Sequence, residues 1–547
     1  MFNIQLRQGC ILGALILIIF SCRKHDVTLP SGTLTLSTTA IRIDTATGTQ
    51  GSVTVESTVA WTATLSPVVN WIRIDSTAGP AGKTVVRLTV LSGSGTASPR
   101  TATIIFSPVG NSNIMPVTLT VTQQPYAFNF IFRKALGGTK EESTSGQLIR
   151  LPDGGTVLVG TAASNDGDVH RNHGGSDAWV VKLNAAGDTV WTKTYGGTQG
   201  DVGNSIIATP DGGYMLAGAT QSVDGDVHNN HGGYDIWLLK LNAAGDTVWT
   251  KTYGGTADDG NGFIVATNDG GYAIAGYTDS NNGDVQRNHG GRDVWLIKVN
   301  KDGALQWSQT YGGSYLDEGR SITAAPGGGF VIAGLTESND KDVVGYHIPT
   351  FVGFDMWIVK VDDNGNKQWT RALGGSIDDA AISITAATDG YLVTGYSNSI
   401  DGDINGYHGS TLSPIFYDMM VVKLDNNGEK VWSRDFGGTF DEYGLVVAAT
   451  ADGGCLVAGG ASSKNGDVSG YTGNGGYEDI WVIKLNGAGN KQWGKTIGGS
   501  GDDYCFSITP TVDGFMLAAL SESTDGDMAG SKSHGDTDIW VTKVVVQ

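Results

Sequence analysis

Cysteine, basic charge and long apolar runs are all scarce in this chain, and each scarcity removes a class of function. Only 4 cysteines occur among 547 residues. Cys10 falls in a leading apolar segment and Cys22 just after it, which leaves Cys455 and Cys505, too few for a disulfide framework in a chain of this size. These two are expected as buried free thiols, with a bridge between them as the alternative. Lysine and arginine number 35 against 55 acidic residues, for a net charge of -20. That charge repels phosphate and no basic stripe relieves it, so nucleic acid is excluded as a partner. Catalytic signatures are missing too: there is no Gly-x-Ser-x-Gly elbow, no His-Glu-x-x-His, no phosphate-binding loop and no Cys-x-x-Cys. The expectation is a protein that is not an enzyme, although a glycosidase or lyase pair of carboxylates could be contained in so acidic a chain.

What the chain has in excess is glycine, 82 residues, and glycine marks a repeat. A Gly-Gly pair begins at Gly137, Gly196, Gly254, Gly312, Gly374, Gly437 and Gly498. A second marker, Asp-x-Trp-x-x-Lys, begins at Asp177, Asp235, Asp293, Asp355, Asp418, Asp479 and Asp538, with Met420 in place of Trp in the fifth copy. Within a copy, runs of strand length alternate with turn residues: Ser205 to Thr209, Pro-Asp-Gly-Gly at 210 to 213, Tyr214 to Thr220, a long loop, Ile236 to Asn242, a short turn, and Thr247 to Tyr253. No segment sustains a helical period. Four short antiparallel strands repeated seven times predict a β-propeller, which protects its sheet edges by radial repetition. The first copy begins with a Gly-Gly strand (Phe130 to Gly138) and the last stops after its Asp-x-Trp strand. The N-terminal strand should therefore complete the last blade and close the ring, with Phe132 taking the place of Trp191 and its counterparts.

The remaining sequence divides in three. Residues 1–21, with Arg7 ahead of the apolar run Ile11 to Phe20, read as a signal peptide, the run being too short to span a bilayer as a mature helix. Residues 22–31 form a short polar tether, and 32–125 alternate apolar and polar residues in about seven strands, predicting a small β-sandwich. Trp61 and Trp71 sit inside these strand patterns and are expected in its core.

Three resemblances refine this picture. Ile19-Phe20-Ser21-Cys22 resembles the lipobox of bacterial lipoproteins, which implies lipidation of Cys22 and an exported, lipid-anchored protein of the cell envelope, with the outer membrane expected; an ordinary signal peptide is the alternative. Val59-Ala-Trp61, Asn70-Trp71-Ile72, Arg100 to Ile104 and Val121 to Gln124 resemble the BACON domain of Bacteroidetes surface proteins, which implies an Ig-like sandwich acting as a spacer or as a carbohydrate- or mucin-associating module. Gly498 to Asp503, Thr267 to Tyr272 and Ala275 to Thr278 resemble seven-bladed propeller repeats of bacterial surface and secreted proteins, across residues 127–547. That likeness implies a fold and leaves function open, since propellers host lyases, hydrolases, lectins and scaffolds.

In a propeller the long second-to-third-strand loops share a face with the sheet-to-sheet loops, and here both are acidic. The former carry [Asp/Asn]-Gly-Asp or a variant of it, with Asp166, Asp168, Asp224, Asp226, Asp284, Asp401, Asp403, Asp467, Asp525 and Asp527 as candidate ligands for calcium, the one cofactor this pattern suggests. The competing reading is an Asx-type turn whose carboxylates accept backbone N–H groups. Eight of the nine histidines lie in these same loops but are too dispersed for zinc, and they read as hydrogen-bonded loop residues. Departures from the repeat point better to a ligand, because no blade requires them. The longest loops, in copies four and five, offer Tyr346, His347, Phe351, Phe354, Tyr407, His408, Phe416 and Tyr417, aromatics beside polar groups as a sugar ring would need. The sequence thus predicts a monomeric, non-catalytic binding protein for a glycan or an envelope protein, touching the membrane through its anchor alone. The alternatives are a carbohydrate-active enzyme working at the propeller face and a scaffold with no small ligand.

Overall fold

The computed structural model describes residues 32–43, 50–91, 99–110, 113–143, 146–348, 353–404, 406–409, 415–473, 476–530, 534–535 and 537–547. The segments read as a signal peptide (1–21) and a tether (22–31, with Cys22) and the candidate ligand residue Phe351 lie outside them. The chain is all-β: among the described residues the one helical element is the short turn Gly526–Met528. No helix among them is long and apolar enough to cross a membrane. Two compact units separate, with most of residues 32–122 in the first and Gln123–Gln547 in the second.

The first unit holds two antiparallel sheets. One orders Leu34–Leu36, Gln50–Ser57, Gly82–Val90 and Ile72–Ile74, and the other orders Ala40–Ile43, Val117–Gln123, Arg100–Pro108, Trp61–Leu65 and Ala78–Gly79. Alternating side chains meet in one apolar core around Val55, Trp61, Trp71, Leu88, Ile104 and Phe106. Trp61 is fully buried, its ring centroid 5.5 Å from that of Phe106, so both tryptophans of this unit are core residues, as expected, and not exposed platforms.

In the second unit each of copies two to six forms one four-stranded antiparallel sheet in sequence order. Copy two consists of Asp201–Ala208, Tyr214–Thr220, Asp235–Leu241 and Thr247–Tyr253. Its inner strand starts four residues before the predicted Ser205, because a β-bulge at Asn204 breaks the alternation that sequence pattern relies on. Consecutive sheets pack face to face: Trp237 of copy two is fully buried among Val157, Val159 and Val180 of copy one. Removing so large an apolar side chain from water contributes up to about 4 to 6 kcal/mol as an upper bound.

The first and last strands of the second unit pair as predicted. Phe128–Leu136 pairs with Asp538–Val546 and completes the sheet of Asp503–Thr511 and Gly514–Ser521. Phe132 lies opposite Lys543, as Trp191 lies opposite Lys182 and Trp249 opposite Lys240. Copy seven also packs on copy one, with Met516, Ala518 and Val541 around Trp179, and Leu148 N–H donates to Ser507 Oγ at 2.9 Å. Cys455 and Cys505 are buried free thiols, and burial pushes both up to about 12.

Candidate functional site

The acidic loop face has two levels. Its floor is made from residues that recur in every copy. Asp201, the first residue of the inner strand of copy two, is fully buried and accepts Gly197 N–H (2.7 Å), Ser222 Oγ–H (2.8 Å) and the Thr220 hydroxyl. Asp177, from Asp-x-Trp of copy one, is equally buried and accepts His173 N–H at 3.0 Å, with His173 Nδ1 at 2.6 Å. A Cβ on Gly196 would stand 2.5 Å from Asp201 Oδ2 and 2.8 Å from Asp177 Oδ1, which explains the first glycine of each Gly-Gly pair. The same arrangement repeats around the unit, and burial raises these carboxyls: Asp235, Asp355 and Asp503 to about 6, Asp317, Asp379 and Glu442 to about 7.

The [Asp/Asn]-Gly-Asp loops lie across the Gly-Gly pairs. Asp224 Oδ1 accepts Thr198 N–H at 2.8 Å, Asp226 N–H donates to Gly196 O at 2.9 Å, and Gly225 between them has φ +64, a conformation that favours glycine. Asp166, Asp401 and Asp525 accept the equivalent N–H groups of Thr139, Ser376 and Ser500 at 2.8, 2.8 and 2.7 Å. Asp168, Asp403, Asp467 and Asp527 likewise donate their backbone N–H to the carbonyls of Gly137, Gly374, Gly437 and Gly498, and Asp284 to that of Gly254. The carboxylates accept backbone N–H groups as expected, but those of the Gly-Gly loop 25 to 27 residues away, so these are loop-to-loop contacts and not the local Asx-type turn that the sequence suggested. Among the described residues no group of three or more His, Cys, Asp or Glu is placed to hold a metal ion.

The predicted ligand patch divides. His347 and His408 belong to the floor: their Nδ1 atoms lie 2.8 Å from Asp355 and 2.7 Å from Asp418, and their Nε2 atoms 3.5 and 3.4 Å from Asp403 and Asp467 of the following copies. Hydrogen bonding to Asp418 raises His408. Tyr346 and Tyr407 fasten their own loops by donating to Gly353 O (2.8 Å) and Phe416 O (3.1 Å). Phe416 pairs with Phe440, ring centroids 5.3 Å apart. Phe354 and Tyr417 reach a shared cluster, and two further members, Tyr396 and Tyr443, were missed.

That cluster forms the mouth, the second level. Tyr396 is its centre, with ring centroids 6.3 Å from Phe354, 4.9 Å from Tyr417 and 5.3 Å from Tyr443. Its rings are half-buried. Tyr417 Oη–H donates to Asp378 Oδ2 at 3.2 Å, and Tyr417 N–H to Asp441 Oδ1 at 2.8 Å. Aromatic faces and edges framed by carboxylates can stack a pyranose and accept its hydroxyls. The missed residues occupy variable positions of the repeat, next to last in the second strand (Tyr396) and second in the inner strand (Tyr443), so comparing the copies position by position would have found them.

Between the inner strands runs an open cavity of about 770 Å³. Its lining includes the residues at the inner-strand bulges, and it is two-sided: Asn204, Asn261 and Arg320 on copies two to four, Ile382, Leu445 and Phe506 on copies five to seven. Its Glu318 accepts Asn261 Nδ2–H at 2.7 Å and lies 3.6 Å from Arg320, so these polar groups satisfy one another.

No family model matches the chain. It is 25% identical over 489 residues to the regulatory protein FlaEY of Caulobacter vibrioides, an alignment that covers 79% of this chain and 49% of that protein, so the chain spans about half the length of this curated relative. Among solved structures it is similar to the phage phi92 endosialidase (11% identity, 79% of this chain and 71% of that one, TM-score 0.37). Another is a putative 6-phosphogluconolactonase of Bacteroides fragilis (11% identity, 72% and 93%, TM-score 0.34). A Bacteroides ovatus GH5 xyloglucanase matches over 20% of this chain and 22% of that one, with 20% identity and a TM-score of 0.16.

Proposed function

We propose that the second unit is a seven-bladed β-propeller whose loop face binds a glycan, that the first is a BACON-like spacer, and that Cys22 anchors the protein by lipid in the cell envelope. The observation that carries the binding role is the ring cluster of Phe354, Tyr396, Tyr417 and Tyr443 beside Asp378 and Asp441. The fold does not account for it: the corresponding positions at the junction of copies one and two hold Ser176, Thr161 and Val202, and that junction forms without rings there. Each stacked ring contributes about 1 kcal/mol, so several weak contacts on one face add up to useful affinity. The test is binding of the mature protein to a panel of neutral and charged polysaccharides. Binding that weakens in Phe354→Ala with Tyr417→Ala supports this reading, whereas binding indifferent to both changes removes the patch.

A second reading, a carbohydrate-active enzyme, draws on one residue. Burial and neighbouring acids push Glu478 up to about 8, the state a general acid needs, and Asp441 and Asp502 are among the charges acting on it. Release of shortened products during the same panel would favour this reading over a binding module.

A further inference from the structure

The cavity between the inner strands changes character halfway round. Each inner-strand bulge leaves an extra residue outside the ladder: Asn204, Asn261 and Arg320 in copies two to four, Ile382, Leu445 and Phe506 in copies five to seven. All six line the cavity. Polar, charged, aliphatic and aromatic side chains thus build the same bulge, so the sheets do not dictate which residue stands there, nor that three polar ones should face three apolar ones. The serines that follow two of these bulges are by contrast used by the fold. Ser321 Oγ accepts Ile384 N–H at 3.2 Å and Ser383 Oγ accepts Val447 N–H at 3.3 Å, each from the next copy.

The polar half has hydrogen-bonding capacity to spare. Glu318 balances the charge of Arg320, but at 3.6 Å it lies beyond hydrogen-bond distance, and among the described residues the guanidinium makes no hydrogen bond at all. Its five N–H donors are therefore open, on a side chain only 26% exposed. Glu318 accepts Asn261 Nδ2–H at 2.7 Å and, as a carboxylate, can accept more. Opposite, Ile382, Leu445 and Phe506 are half-buried and leave apolar surface on the opening. The volume of about 770 Å³ falls within the roughly 300–1,000 Å³ of small-molecule sites. The cavity also continues from the ring cluster. Tyr443 stands two residues before Leu445 on Glu442–Ala449, about 7 Å along an extended strand. At the equivalent position of copy seven, the ring centroid of Tyr504 is 6.5 Å from that of Phe506.

We propose that this cavity receives a neutral hexopyranose, the terminal residue of the glycan whose chain lies across the mouth, so that the protein recognises chain ends. The inference rests on the glycan reading above. A pyranose carries C–H groups on one face and hydroxyls at its rim, each hydroxyl both donor and acceptor. Its rim suits the Arg320 donors and the Glu318 and Asn261 acceptors, and its apolar face suits Phe506, Leu445 and Ile382. Neutrality follows from the charges: Arg320 and Glu318 offset one another, so an acid or an amine would bring an unbalanced charge into the cavity. The net charge of -20 disfavours an anion further.

The experiment measures binding of the methyl glycosides of glucose, galactose, mannose and N-acetylglucosamine to the whole mature protein by saturation-transfer NMR, with methyl glucuronide and sodium hexanoate as anionic counterparts and the polysaccharide panel alongside. The expected result is that at least one neutral glycoside binds about tenfold or more tightly than either anion and displaces the bound polysaccharide. Arg320→Met, which keeps the length of the side chain and removes its donors, should weaken that binding about tenfold. Phe506→Leu tests the opposite wall and serves if the methionine variant melts early. Polysaccharide binding without glycoside binding, tighter binding of an anion, failure to compete, or affinity unchanged in both variants overturns the inference and leaves the glycan reading standing. Absence of polysaccharide binding overturns both.

Discussion

Between the floor of the inter-sheet junctions and their mouth, the repeat changes character within one residue. The Asp of Asp-x-Trp is identical in every copy and buried, whereas the residue before it is Ser176, Tyr234, Arg292, Phe354, Tyr417, Glu478 or Thr537. In an extended chain, neighbouring side chains point to opposite sides. The Asp turns into the junction, where it meets His or Thr and a glycine, while its neighbour turns to the rim and is free to vary. Uniformity across copies therefore marks what holds the sheets, and variation marks what the sheets hold out to a ligand.

Breaking the floor should cost most. Trp237→Ala, at a fully buried site between two sheets, is expected to lower the stability of the second unit by about 3 to 5 kcal/mol in denaturant unfolding. Asp201→Ala leaves Gly197 N–H, Ser222 and Thr220 without their acceptor and should cost about 3 kcal/mol in the same measurement. A loss under about 0.5 kcal/mol in either variant would show that the repeated contacts are dispensable.

The floor should also respond to pH. Asp317, Asp379, Glu442, Asp235, Asp355 and Asp503 have folded values raised above the unfolded carboxylate range, so the folded state binds more protons and is favoured in mild acid. That contribution is complete below about pH 4 and is lost as pH rises through about 6 to 7. The raised His408 acts in the same direction. Melting of the second unit is therefore expected to occur at higher temperature at pH 5 than at pH 8. A melt that rises with pH over this range would contradict the assignment.

A departure that faces inward sharpens the comparison. Asp435 is buried with both carboxyl oxygens unpartnered and is raised well above its usual range by burial, then by Asp418 and Asp379. The same position in copy one holds Thr194, which donates to His170 O at 2.8 Å and to Arg171 O at 2.9 Å. Asp435→Thr restores the repeat and should raise stability by about 1 to 2 kcal/mol in urea unfolding. No gain would mean that the carboxyl has a use of its own.

Much of this was legible in the sequence. Gly-Gly and Asp-x-Trp spacing gave the sheets, their order and the pairing of Phe128–Leu136 with the last strand, because each signal is local and repeated. The inner strands began too late, since a bulge hides its register from alternation. The ligand patch was legible only in part. Loop length drew attention to His347 and His408, whose partners are the buried Asp355 and Asp418 at the ends of those same loops, 8 and 10 residues on, and away from Tyr396 and Tyr443, which lie within regular strands. Loop length reports insertion, whereas a shared mouth is set by which strand positions converge from neighbouring copies.

The smallest structural effect should accompany the largest functional one. Phe354→Ala with Tyr417→Ala removes half-buried rings at the mouth and should leave the melting temperature of the second unit nearly unchanged. The most direct test of the account is the affinity of this double variant and of the native protein for the same polysaccharide panel. The account predicts glycan binding by the native protein that falls about tenfold or more in the variant, while both melt alike. Equal affinity in two equally stable proteins would contradict it.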